Sequence, residues 1–370
     1  MWLAYCLLIY IILISYMFGI VGNSSNVPRS YNCLFLFLFF FPLGILGMFR
    51  AINVGSDTVT YYRAYNVITN SDLYTSFLYH GRMEQGHVLF MKFCSKLGLT
   101  AAQFVGTCSF LTLTTIAIYF YKNSKCLFIS CFSFFSLCFF DGSCNIVRQY
   151  LALTILLFSV RYIFKRNLLL FLAIVILAST FHKTAVIFLI VYPLYNVELS
   201  RKNIWYLMLF TIAFAICGML FLNHFLELLI GNDWYGGYAK SHYVTQGVRF
   251  GSFINIFIQM LYSVICLYAY HLYGDQFSKE EKFFQWLSLI SLSIECCTLP
   301  VNVMERLGLY FHFFSLIAIA DALYYFKKNN YYISYYVMLL MLVGCTNYII
   351  VHLFRPTWTS FYPYSFCFDT

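Results

Sequence analysis

Charge is what this chain has least of. Only 10% of its 370 residues are Asp, Glu, Lys or Arg, whereas 62% are hydrophobic. A soluble domain of that composition would have far too little polar surface to cover itself. Proline is scarce, at 6 residues, so little interrupts the long apolar runs. There is no Walker loop, no HExxH and no GxSxG, which removes a built-in nucleotide site, a zinc peptidase and a nucleophile elbow from consideration. Any driving energy must therefore come from the substrate or from a gradient. No internal repeat stands out. The 14 cysteines form no CxxC and no disulfide framework. Most of them (Cys6, Cys33, Cys108, Cys126, Cys131, Cys138, Cys217, Cys266, Cys345) sit inside apolar stretches as small packing residues, and Cys296 and Cys297 are simply adjacent. Carboxylates do not pair at metal-ligand spacing, so neither a metal nor another cofactor is expected.

What is present is a series of membrane-length segments. A spanning helix needs roughly 20 apolar residues, and about twelve candidates occur: 2–21, 32–49, 102–121, 126–140, 147–163, 167–181, 183–195, 204–222, 252–272, 283–299, 307–326 and 331–350. The expected fold is an all-α integral membrane protein, residues 1–370 forming one polytopic bundle of about 12 transmembrane helices. The first segment has no basic n-region or small-residue cleavage pattern and reads as a retained helix. The 33 Tyr and 42 Phe often flank the segments, as interface aromatics do. Basic residues crowd the short loops at Lys122/Lys125, Arg161/Lys165/Arg166, Arg201/Lys202, Lys279/Lys282 and Lys327/Lys328, which marks those loops as cytoplasmic and puts both termini outside. The net charge of +9 suits inner-leaflet anchoring and an anionic substrate; nucleic acid is a poor match for cations interrupted by spans.

Six of the eight histidines, with Arg50, Asp57, Arg148, Lys183 and Arg306, fall in gaps that open onto the outer face. Two outer stretches are long, 50–101 and 223–251. In the first, Asp57, Tyr61 and Tyr65 recur every fourth residue and share a helix face, with Asp57 placed to cap its amino end. The alternative is an interfacial helix with aromatic anchors. Glu84 opens an amphipathic stretch, 84–98, suited to the interface plane. Arg148 begins the fifth segment, where a guanidinium and free helix amides would cradle a phosphate or diphosphate, the plainer reading being an arginine snorkelling to headgroups. His182 and Lys183 make a tight hairpin at the membrane surface. An imidazole there is a candidate for guiding a sugar hydroxyl. The stretch 223–251 contributes His224, Asp233, Trp234, Tyr235, Gly236, Gly237, His242 and Arg249, which suit sugar stacking or an aromatic belt. Glu305 and Arg306 sit at an outer helix end, where they neutralise each other or Arg306 supplies a second cation to a pyrophosphate.

The order of these pieces resembles the EpsG/Wzy-type polysaccharide polymerases. It comprises R-x4-G-x-D-x3-Y-x3-Y at Arg50–Tyr65, E-x-G-H at Glu84–His87, I-V-R-Q at Ile146–Gln149, F-H-K-T-A at Phe181–Ala185, E-R at Glu305–Arg306 and an aromatic run at Trp358–Tyr364. Lys183 stands where many relatives have a small or polar residue. The resemblance implies an inner-membrane O-antigen polymerase of a Gram-negative bacterium, GT-C-like and metal-independent, with its active site in periplasmic loops. Its donor and acceptor would be undecaprenyl-diphosphate-linked oligosaccharides, and a flippase and a chain-length regulator would be its partners. On that reading Arg148 and Arg306, with Arg50, hold the diphosphate; His182 or Asp57 positions the acceptor hydroxyl; Tyr61, Tyr65, Glu84, Gln149 and Lys183 shape the pocket. Two other readings stay open. One is an O-antigen ligase using the same chemistry. The other is a flippase or transporter, whose best support is Glu295 and Asp321 inside apolar segments.

Overall fold

A computed structural model describes residues 2–21, 28–79, 83–230, 250–299, 305–329, 331–354 and 360–368. Helices are the only extended regular structure among them; Arg50 and Phe366 make an isolated antiparallel bridge. The helices are α1 (Trp2–Val21), α2 (Arg29–Met48), α3 (Thr58–Asn70), α4 (Leu73–Tyr79), α5 (Gln85–Lys96), α6 (Ala101–Asn123), α7 (Leu127–Ser136), α8 (Phe139–Asn145), α9 (Val147–Phe164), α10 (Leu168–Phe181), a 3-10 segment (Lys183–Ile190), α11 (Val191–Leu194), α12 (Arg201–Ile230), α13 (Phe250–Tyr273), α14 (Lys279–Thr298), α15 (Glu305–Lys328) and α16 (Ile333–Phe354). Asp233, Trp234, Tyr235, Gly236, Gly237, His242, Arg249 and Trp358 lie outside the described residues, as do the side chains of His224 and Glu305.

Among the described residues, six helices are long and apolar enough to cross a membrane, Arg29–Met48, Ala101–Asn123, Val147–Phe164, Gly251–Gln276, Arg306–Lys328 and Ile333–Phe354. The pair α7–α8 makes a seventh if its 55° bend is one broken span. This is a multi-pass membrane protein, and three of the segments expected to span it depart from a plain apolar helix. Segment 126–140 is broken at Cys138, whose φ of 60° leaves the right-handed helical region. Segment 183–195 coils as a 3-10 stretch and a single α turn, too short to cross alone. The helix over 283–299 begins with the charged turn Lys279–Lys282, held by a capping box in which Ser278 and Glu281 exchange hydrogen bonds.

The chain folds as two compact units. The first comprises Met1–Tyr162, Leu169–Val186 and Tyr332–Thr370. In it α2 packs on α6, α3 packs on α5 and α6, and α7 packs on α1 and α16. A Thr100/Gln103 capping box starts α6. The buried face of α3, Tyr61, Ala64, Tyr65 and Ile68, follows the helical repeat and meets Val88, Met91 and Cys94 of α5 in one apolar cluster with Phe104. The second unit comprises Ile163–Leu168 and Ile187–Tyr331. There α14 packs against α12, α13 and α15, with Phe284 stacked on Phe314 at 5.9 Å.

Candidate active site

The polar centre of the first unit is built around Glu84. It is the residue before α5, in extended conformation, and its side chain makes no bond to its own helix. The carboxylate turns toward two other helices. Oε2 accepts from Arg148 Nη1 at 2.5 Å, while Oε1 faces His182 Nδ1 and accepts from the Lys183 backbone N–H, each at 3.2 Å. Glu84 is 8% exposed, Arg148 21% and His182 14%. Two residues that follow Glu84 by 64 and 98 positions in sequence thus share its carboxylate.

Close packing makes the convergence possible. At Gly86 a Cβ would stand 2.9 Å from the Thr180 carbonyl oxygen and closer still to its hydroxyl, so only glycine lets the start of α5 approach the end of α10. The break after α8 does the corresponding work for Arg148. Asn145 Oδ1 accepts from Ser56 Oγ at 2.8 Å and from the Asp57 N–H at 3.1 Å. Gly55, at φ +89°, supplies a backbone conformation in that turn that an L side chain resists. The Tyr61 hydroxyl also receives a hydrogen bond from Arg148.

Electrostatics fix the protonation states. Burial works against an ionised Glu84, but the hydrogen bond from His182 and the Arg148 charge prevail and hold its pKa down at about 2. An ionised carboxylate only accepts, so the proton of the His182 ring is on Nδ1. Nε2 has no hydrogen-bond partner among the described residues. His87, one turn into α5, is fully buried, and its ring lies 5.9 Å from that of Tyr61 and 6.4 Å from that of Phe181. Burial, helped by the charge of Arg148, pushes its pKa down to about 3, so it is a neutral imidazole.

The other residues picked from sequence have distinct places. Asp57 occupies the N-cap position of α3, but its side chain makes no capping bond; the expected carboxylate cap is absent and Asn145 orders that turn instead. Tyr65 is buried, donates its hydroxyl to the Leu99 carbonyl at 2.6 Å and stacks on Phe104. Arg50 is 1% exposed. Its guanidinium donates to the Gly47 carbonyl, to Ser109 Oγ at 2.5 Å and to the Cys144 carbonyl at 3.1 Å, tying α2, α6 and α8 together. Gln149 is buried beside Arg148 in α9, and Lys183 is exposed. Arg306 belongs to the second unit, half-buried in the first turn of α15. In that unit Glu295, 1% exposed, has its carboxylate 3.2 Å from His312 Nε2 and accepts from Thr298 at 3.3 Å, and Asp321 is buried.

Residue types and spacing alone assign no role to His87 or to Asn145, which holds the turn before α3. The first had a signal, because His87 follows Glu84 by three residues and a helix starting between them puts both on one side.

A guanidinium and an imidazole fixed on one carboxylate can do two things at once. They can neutralise a departing anion and guide the proton of an attacking hydroxyl. No curated protein and no solved structure matches the chain. A family match covers residues 32–366, from α2 to the aromatic run after α16, and takes in every member of this constellation. The chain therefore belongs to the EpsG family, the family of Wzy-type polysaccharide polymerases.

Proposed function

We propose that this protein is an O-antigen polymerase working at the periplasmic face of the bacterial inner membrane, on a GT-C-like bundle and without a catalytic metal. It transfers the growing glycan from one undecaprenyl diphosphate onto the non-reducing end of the next lipid-linked repeat unit. The observation that carries this reading is the Glu84-centred set, in which Arg148 and His182 are held by the same carboxylate. The bond broken joins the anomeric carbon to the diphosphate, and Arg148 meets the negative charge that develops on the leaving oxygen. The bond formed joins that carbon to an acceptor hydroxyl, whose proton passes to His182 Nε2. Glu84 holds the imidazole in the tautomer that has a free Nε2, as carboxylates do behind catalytic histidines elsewhere. Tyr61 keeps Arg148 oriented. Arg50, enclosed by protein acceptors, serves the scaffold from which Arg148 projects.

The test is the lipopolysaccharide ladder from cells deleted for this protein and complemented with wild type, Arg148→Ala or His182→Ala. A polymerase leaves core plus a single repeat unit in the deletion strain, and neither variant restores the ladder. Loss of even the single repeat refutes the reading and points to a flippase or a ligase. In the flippase case substitutions at Glu295 and Asp321 would matter more than those at Arg148 and His182.

A further inference from the structure

A second polar cluster lies in the same unit, apart from the Glu84 set and without a part in the reaction above. Cys138 stands at the break between α7 and α8, Asp141 lies one turn into α8, and His352 is near the end of α16. All three are buried, at 5%, 0% and 2% exposure. One ligand atom from each falls within 4.8 Å of the others. His352 Nδ1 lies 2.8 Å from the Tyr348 carbonyl oxygen and donates to it, so Nε2 offers a lone pair to the cluster. Neither Asp141 oxygen receives an N–H or O–H donor among the described residues, and His352 Nε2 has no hydrogen-bond partner there.

The separation of 3.5 Å between His352 Nε2 and Asp141 Oδ2 is long for a hydrogen bond. It suits two ligands of one tetrahedral ion, because metal–ligand bonds of roughly 2.0–2.3 Å give ligand edges of roughly 3.3–3.8 Å. The surroundings sharpen the point. The rings of Tyr348 and Tyr362 lie 4.1 and 5.1 Å from His352, so the cluster is enclosed by aromatic groups, where an unbalanced charge is costly. One divalent cation with a thiolate, a carboxylate and a neutral imidazole sums to zero charge. Cys138 is also held at φ 60°, a left-handed conformation that is unfavourable for a non-glycine residue and needs support from its surroundings.

We propose that Cys138, Asp141 and His352 bind a zinc-class divalent ion that pins the broken α7–α8 element to α16. The donor set of one sulfur, one oxygen and one nitrogen selects zinc or cobalt over magnesium or calcium. The Tyr348 carbonyl plays the supporting part that backbone acceptors take behind ligating histidines. The ion is structural in this proposal. It fixes α8, whose Cys144 carbonyl receives Arg50 and whose Asn145 holds the turn before α3, and so steadies the start of α9, where Arg148 sits.

The test uses the full-length protein, purified in detergent without a polyhistidine tag, incubated with micromolar zinc and freed of loose metal. Elemental analysis is expected to find about one zinc per chain, and Co2+ exchange to give a thiolate-to-cobalt charge-transfer band with the visible bands of a tetrahedral ion. Cys138→Ser and His352→Ala should each lower bound metal tenfold or more, whereas Cys144→Ser should retain it. Less than about a tenth of an equivalent in the wild type, a cobalt spectrum lacking the thiolate band, or full retention by Cys138→Ser overturns the proposal. Because the first two readouts need only the wild-type protein, misfolding of a variant does not shield the proposal from failure.

Discussion

Replacing Glu84 by Gln keeps the shape of the side chain and removes its charge, which isolates what the carboxylate does. Glu84 takes three donors, from Arg148, His182 and the Lys183 backbone, and an amide must present an NH2 to at least one of them. Two charge-assisted contacts at roughly 1.5–3 kcal/mol each set the upper bound. Arg148 is 21% exposed, so water recovers part of that and the net loss is about 3 kcal/mol. The depressed pKa gives the same figure: a fall from 4.5 to about 2 corresponds to about 3 kcal/mol of stabilisation by the ionised form. That contribution is complete above pH 4.5 and fades as the pH falls toward about 2, so the gap between wild type and Glu84→Gln should close across that window. The assay is a double-mutant cycle on detergent-purified protein, with Glu84→Gln, Arg148→Gln and the pair followed by reversible unfolding at pH 7. A coupling of about 2 kcal/mol is expected. Additive effects, within about 0.5 kcal/mol, would show that the two side chains do not act as a unit and that Glu84 does not hold Arg148.

The remaining predictions concern the supports of the site. His87, buried and neutral with its pKa pushed from 6.5 to about 3, lends stability that is whole above pH 6.5 and lost as the pH falls toward 3. His87→Phe should therefore flatten the decline of wild-type stability between pH 6.5 and 5, a difference visible in melting curves at up to about 1.4 kcal/mol per pH unit. Gly86→Ala drives a methyl group against the Thr180 backbone and should cost about 1–3 kcal/mol, with polymer yield falling alongside stability. Arg50→Gln strands acceptors on α2, α6 and α8 and should lower stability by about 2–4 kcal/mol. Its mark is a smaller yield of folded protein from membranes, not a weaker grip on substrate.

The membrane class and the helical face of Tyr61 and Tyr65 could be read from residue types and spacing, because composition and the 3.6-residue repeat are local properties. The shared carboxylate could not. Glu84 reads as an interfacial charge until α5 and α10 meet at Gly86, and no spacing along the chain encodes that approach. Arg50 looks like an outer-face cation because it follows an apolar run, yet its acceptors come from α6 and α8, about 59 and 94 residues away. The span over 126–140 reads as continuous because nothing in Ser136-Leu137-Cys138-Phe139 signals the break or the left-handed conformation of Cys138. Likewise α16 continues to Phe354, beyond the apolar stretch 331–350, which brings His352 to Asp141 and creates a ligand cluster that no local motif announces.

The measurement that bears most directly on the central claim is polymer formation by the purified protein from lipid-diphosphate-linked repeat units, resolved by gel and by release of free lipid diphosphate. Wild type should make chains of several units with one lipid diphosphate released per linkage. Arg148→Ala should slow that release by about a hundredfold or more, while Lys183→Ala, which keeps the backbone N–H bonded to Glu84, should stay within a few-fold of wild type. Arg148→Ala at the wild-type rate, or wild-type protein that moves lipid-linked units across a vesicle without joining them, would contradict that claim.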